Sequence, residues 1–149
     1  MISKGETFKP PTPEEEWADR QFSIILNYLS EWQVPYNGHI LLQWLAMPYI
    51  SIWKSGSTSD EGSTVWIMHN NLQTDHFIGS SNTPLREVIK EFGDRWIAAG
   101  EDLAANPDRP VANPDEVGDP AAYGIKMKKY GEMFISVSED DELWAENEA

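Results

Sequence analysis

The chain of 149 residues contains no cysteine. That excludes a disulfide framework, a thiolate nucleophile and any zinc or iron–sulfur site built on cysteine. Basic residues are scarce: 11 Lys and Arg stand against 25 Asp and Glu, a net charge of −14. Proteins that bind nucleic acid neutralise phosphates with Lys and Arg, so neither direct nucleic-acid binding nor contact with an anionic membrane is expected. No apolar run approaches the roughly 20 residues of a membrane-spanning helix. The opening MISKGETFKPPTPEEE has none of the apolar run of about 7 to 15 residues that marks a secretory leader. The expected location is cytoplasmic. No serine sits in a G-x-S-x-G context, and no phosphate-binding or dinucleotide-binding glycine signature occurs. No cofactor is expected.

Large apolar groups are plentiful, with seven Trp, five Tyr and five Phe, enough to build one core in a chain of this length. The first 11 residues read as a flexible N-terminal arm, residues 12–146 as a single α+β domain, and residues 147–149 as a frayed acidic tail. Thr12, Pro13 and Glu15 carry the signature of a capping box with proline at the first helical position. Glu14, Glu15 and Glu16 sit at the positive end of that helix's dipole. Ala18, Phe22, Ile25, Leu29 and Trp32 then recur at spacings of four and three, with Trp17, Ile24 and Tyr28 widening the stripe into an expected core face. Pro35 and Asn37-Gly38 are expected to end the helix.

Tyr49 to Lys54 and Thr64 to His69 read as paired strands joined by a Gly/Ser-rich turn, with apolar residues on both faces. His39 to Ala46 fits strand or helix equally. Thr74 to Ile78 supplies a short third strand. Thr83-Pro84 signals a further helix bearing Leu85, Val88, Ile89, Phe92, Trp96 and Leu103, which Gly100 ends or weakens. Residues 104–122 hold four prolines and read as a loop. Asp119-Pro120 starts a last long helix with Ile125, Tyr130, Phe134 and Val137, weakened by Gly124 and Gly131. Leu143 and Trp144 suggest a short helix within the acidic end. The expected architecture is a small antiparallel sheet, a hairpin plus a third strand, covered by about three helices.

Pro48 to Lys54, Val65-Trp66-Ile67 and Leu72 to His76, followed by a helix with Phe92 and Trp96, resemble the uncharacterised bacterial family called domain of unknown function 4826. The acidic first helix with a Trp, the Trp-Lys strand, the Thr-Asp-His segment and the late Leu-Trp occur in the family's order, over about residues 13 to 145. The chain departs from the pattern at Met47-Pro48, in the glycines of its last long helix and in its proline-rich loop. The resemblance implies this order of elements and brings no activity with it.

Thr74-Asp75-His76 is the sharpest chemical candidate, with His69 ending the preceding strand. A carboxylate beside an imidazole suits acid–base catalysis, giving Asp75 and His76 as candidate catalytic residues, and His69, Asp75 and His76 as a candidate two-His-one-carboxylate metal set. The competing reading is structural: Thr74 and Asp75 hold a turn through local backbone bonds, and His76 packs at its edge. Gly79-Ser80-Ser81-Asn82 offers free N–H groups before a helix, as at an anion site, but reads as a polar loop capped by Thr83. Of the seven Trp, Trp32, Trp66 and Trp96 suit inward stripes, whereas Trp17, Trp44, Trp53 and Trp144 are harder to seat in one core. Trp144 with Asp140, Asp141, Glu142, Asp115 and Glu116 is therefore the candidate partner-binding set. The leading expectation is a non-enzymatic acidic protein-binding module, an inhibitor or immunity-like partner of a basic protein. The alternatives are a small metal-assisted or acid–base enzyme using the Thr-Asp-His segment, and a housekeeping domain whose acidity serves solubility.

Overall fold

In the computed structural model, residues 11–46, 50–59, 62–106, 108 and 118–148 are described. The N-terminal arm apart from its last residue, the Met47-Pro48 approach, Tyr49 and most of the proline-rich loop lie outside them. The chain divides into two compact units, Met1–Ser81 and Asn82–Ala149. The fold class is α+β: four antiparallel strands in one sheet, and four helices among the described residues. No described helix is long and apolar enough to cross a membrane.

The first unit opens with α1 (Pro13–Glu31), whose capping box forms in full: Glu15 N donates to Thr12 Oγ1 at 3.1 Å and Thr12 N to Glu15 Oε1 at 3.4 Å. The helix ends before Pro35 and Gly38, because Gln33 takes a left-handed conformation (φ 52°). There Val34 N donates to Leu29 O and Gln33 N to Ser30 O, the paired bonds of a Schellman ending. Both Val34 and Leu29 are buried, so the apolar contact that accompanies such endings is in place.

Four strands follow as a meander: β1 (Leu41–Ala46), β2 (Ile50–Gly56), β3 (Thr64–Asn70) and β4 (Thr74–Gly79), each paired with its neighbour in sequence. The ambiguous His39 to Ala46 segment thus resolves as an edge strand over its last six residues, with a bulge at Gln43 whose amide donates to the carbonyls of Leu41 and Leu42. In the β2–β3 register Ser51 faces His69, Trp53 faces Ile67 and Ser55 faces Val65. Trp53, Val65 and Ile67 join Ile25 and Leu29 of α1, together with Val34 and Ile40, in one core cluster. On the opposite face Ile50, Ile52, Trp66 and Met68 are buried too, as the apolar character of both faces predicts. Asn70 closes β3: its Oδ1 accepts from Leu72 N and Gln73 N.

The second unit pairs α2 (Leu85–Ala105) with α3 (Pro120–Ser138), followed by the short α4 (Asp141–Glu148). Pro84, not Thr83, is the N-cap of α2, and no side chain caps it. Asp119 caps α3 by accepting from Ala121 N. Gly100 neither ends α2 nor lies idle. A methyl group at Gly93 would stand 2.9 Å from the Gly131 carbonyl oxygen, and one at Gly124 would stand 2.6 Å from that of Gly100. Gly93 with Gly131, and Gly100 with Gly124, form two points where the antiparallel helix backbones touch. Beside this seam Trp96 meets Phe134 edge-on at 5.4 Å and Tyr130 at 6.4 Å. Ile125, expected inside, is exposed, and Met127 is buried in its stead.

Candidate functional site

Antiparallel pairing of β3 with β4 sets His69 opposite Thr74 and Ile67 opposite His76. Side chains alternate along a strand. His69, Thr74 and His76 therefore share the face of the sheet that carries Trp53, Val65 and Ile67, while Asp75 belongs to the other. Thr74 to His76 lies in the expected third strand, and the turn reading of the same three residues does not hold. His69 Nδ1 lies 2.7 Å from Thr74 Oγ1, and His76 Nδ1 lies 2.7 Å from Tyr28 Oη of α1, with the Tyr28 and His76 rings edge to face. Asp75 Oδ1 accepts from the backbone N of His76 at 2.8 Å. That is the local side-chain-to-backbone bond of the structural reading, now made within a strand. Among the described residues no three His, Asp or Glu side chains gather as a metal-binding group. His69, Asp75 and His76 do not converge, because the pleat sends the carboxylate away from both imidazoles.

Burial, with the Asp75 charge as a second cause, pushes the Tyr28 hydroxyl above the ordinary range of a phenol, so Tyr28 stays protonated. It donates to His76 Nδ1 when that imidazole carries its proton on Nε2, and accepts when Nδ1 is protonated. Burial pushes His69 down from the ordinary histidine value, favouring the neutral ring. Tyr28 had been read only as widening a core stripe. Its tie to the histidine crosses 48 residues, a separation that no local pattern reports.

The acidic end is used differently from expectation. Asp140 Oδ1 accepts from Leu143 N and caps α4. Arg86 of α2 reaches Asp141 Oδ1 through Nη2 at 2.8 Å and the last carbonyl of α3, Ser138 O, through Nε at 3.0 Å. Trp144 is 1% exposed and donates from Nε1 to Val137 O. It is an interior residue of the chain and offers no contact surface, since an indole N–H satisfied by a helix carbonyl lets the whole ring be buried. Glu142 is exposed. Asp115 and Glu116 lie outside the described residues.

Of the stripe expected inside, Ile25 and Leu29 are buried, whereas Phe22, Ile24 and Trp32 are exposed. The buried line of α1 is Gln21, Ile25 and Leu29, with Gln21 Oε1 accepting from the buried Ser51 hydroxyl at 3.3 Å. Phe22 leans on Trp53 with its outer part exposed. Ile24, Tyr28 and Trp32, four residues apart, form a flanking ridge in which Ile24 is 40% and Trp32 47% exposed, and the rings of Tyr28 and Trp32 lie 6.0 Å apart. Ile78 of β4, two residues past His76 and so on the same face, is 39% exposed. Glu31 stands exposed beside Trp32. Conversely Trp53, hard to place from the sequence, is buried with Nε1 donating to Ser51 Oγ.

No curated protein and no solved structure matches the chain. A protein-family model does: the family described as Domain of unknown function (DUF4826) matches residues 12–144, nearly the whole length, and the chain belongs to that family.

Proposed function

We propose that the protein is a docking module for a basic partner protein, and that the partner seats on the ridge of Ile24, Tyr28, Trp32 and Ile78. The observation that carries this reading is the exposure of Trp32, Ile24 and Ile78 together on one side of the first unit. Large apolar groups in solvent are ordinary singly; a cluster with an aromatic centre has the composition of an interface core. Glu31 borders it and the chain carries −14 overall, so charge complementarity selects a basic surface and speeds its approach. The Tyr28–His76 bond fixes the ring at the middle of the ridge, which lowers the entropy lost on binding.

The test is capture of basic proteins on immobilised full-length chain at low salt, run in parallel with Trp32→Ser and Ile24→Ser variants of unchanged melting temperature. A basic protein held by the parent chain, released by several hundred millimolar salt and at least tenfold depleted on either variant is the expected result. Equal capture by parent and variants would overturn the ridge as the contact, and capture insensitive to salt would overturn the electrostatic selection.

A further inference from the structure

A cleft lies at the end of the sheet, where Lys54 and Thr64 project from the face opposite α1. Lys54 and Gly56 of β2, Thr64 of β3, Asn37 and His39 of the segment before β1, and Ser81 after β4 line a cleft of about 230 Å³. Among the described residues, Leu41 and Ser55 complete a lining that is more apolar than polar, in which Lys54 is the one Lys or Arg. The Lys54 ammonium lies 5.9 Å from the centroid of the Trp66 ring, and no carboxylate pairs with it among the described residues. A cation over an aromatic face is held in direction while keeping its three N–H donors for another acceptor. Trp66 is itself fixed, buried and donating from Nε1 to Ser80 O at 3.0 Å.

Asn37 is oriented by the same logic. Its Oδ1 accepts from His39 N at 2.9 Å, while the single proton of the Ser55 hydroxyl has the His39 carbonyl as its nearer acceptor, so the other end of the amide is Nδ2. That nitrogen occupies the space a side chain at Gly56 would need: a methyl group there would come within 2.7 Å of it. Nδ2 makes no hydrogen bond among the described residues. The Thr64 hydroxyl makes none either, although the residue is only 6% exposed. Asn37 is exposed, and neither its amide nitrogen nor the Thr64 hydroxyl is a closed-off polar atom, so both stand open to an incoming group. Three donors left open around one recess, one of them charged, ask for an acceptor with several lone pairs and negative charge.

We propose that this cleft binds a small oxyanion, a phosphate or carboxylate group, held by Lys54 with Asn37 Nδ2 and the Thr64 and Ser81 hydroxyls. The size agrees: the cleft is smaller than the roughly 300 to 1,000 Å³ of sites that enclose drug-sized molecules. The sequence offered half of it in Gly79 to Asn82. Ser81 of that segment lines the cleft, but the charge comes from Lys54, far away in the chain and close only through the meander.

Inorganic phosphate and acetate, titrated separately at constant ionic strength into the full chain, decide the matter by two-dimensional NMR of the Trp66 indole N–H and the Thr64 and Ser81 amides. Saturable shifts at these groups are expected, with Kd on the order of millimolar. Affinity should fall at least tenfold in Lys54→Met, fall less in Thr64→Val, survive in Lys54→Arg and be unchanged in the exposed Lys90→Met. Saturation by phosphate alone assigns a phosphate ligand, and saturation by acetate assigns a carboxylate. No saturable shift with either anion, or equal titration of the parent, Lys54→Met and Lys54→Gln chains, overturns the proposal.

Discussion

His69 shows how one side chain ties stability to pH. Its imidazole is largely enclosed, bonded to Thr74, and held below its ordinary value of 6.5 by burial. The unfolded chain therefore takes up this proton more readily than the folded one. Stability rises with pH wherever the unfolded state binds more protons. The contribution is complete above about 6.5, is lost as pH falls from there toward the lower folded value, and then levels off. Urea midpoints of the parent chain and His69→Gln should stand a constant distance apart above pH 7 and approach each other near pH 5. Parallel curves would mean that the ring is protonated as easily folded as unfolded. Little of this was legible beforehand. The residues of the Thr-Asp-His segment were found, and Asp75's local backbone bond was foreseen. Their separation onto two faces follows from the third strand expected from Thr74 to Ile78, against the turn reading of the same residues, and Tyr28 could be connected to His76 only once the helix was laid across the sheet.

At the scale of elements, the glycines of α2 and α3 carry the sharpest consequence. Gly93 and Gly100 are seven residues apart, as are Gly124 and Gly131, so each helix turns both toward its partner at the same relative position. Replacing Gly100 or Gly131 with Ala raises helix propensity by roughly 1 kcal/mol. Against that, the new methyl meets rigid backbone, and overpacking of this kind costs about 1 to 3 kcal/mol. We expect both substitutions to lower the urea midpoint; a raised midpoint in either would show that the helices part at no cost. Propensity reasoning read these residues as weak points, because a residue table scores the helix alone and the benefit lies in the neighbour. Caps fared better. Thr12, Glu15 and Asp119 act within three residues of themselves, whereas the same kind of signal at Thr83 gave α2 no side-chain cap. The stripe of α1 misled in part for the opposite reason: it held more apolar residues than one sheet face can cover, and Gln21 took a buried position by bonding Ser51.

For the molecule as a whole, charge is the governing quantity. The described ion pairs, Arg86–Asp141, Arg95–Glu91 and Lys128–Glu101, lie at the surface, where each is worth about 0 to 1 kcal/mol. With 25 acids against 11 bases, repulsion among carboxylates is expected to outweigh them, and it is screened over about 10 Å at 0.1 M salt. The melting temperature should therefore climb between 10 and 300 mM sodium chloride, on the order of a Debye length shrinking from 30 to below 10 Å. A constant or falling value would show that the acids are spread widely enough not to feel one another. The order of the elements was legible across both compact units, because strands and helices announce themselves locally. Exposure was not, since it depends on which apolar group finds a partner.

The meander has a kinetic meaning as well. Three residues separate β3 from β4, and no strand pairs with any but its neighbour in sequence. Loop closure becomes costlier by only about 0.6 kcal/mol for each doubling of loop length, and here the loops are short from the outset. Each hairpin can close without waiting for a distant segment, and the register fixed between β2 and β3 is passed outward to both edges. The search for this sheet is a sequence of local steps, the kind of topology that folds fast for its size.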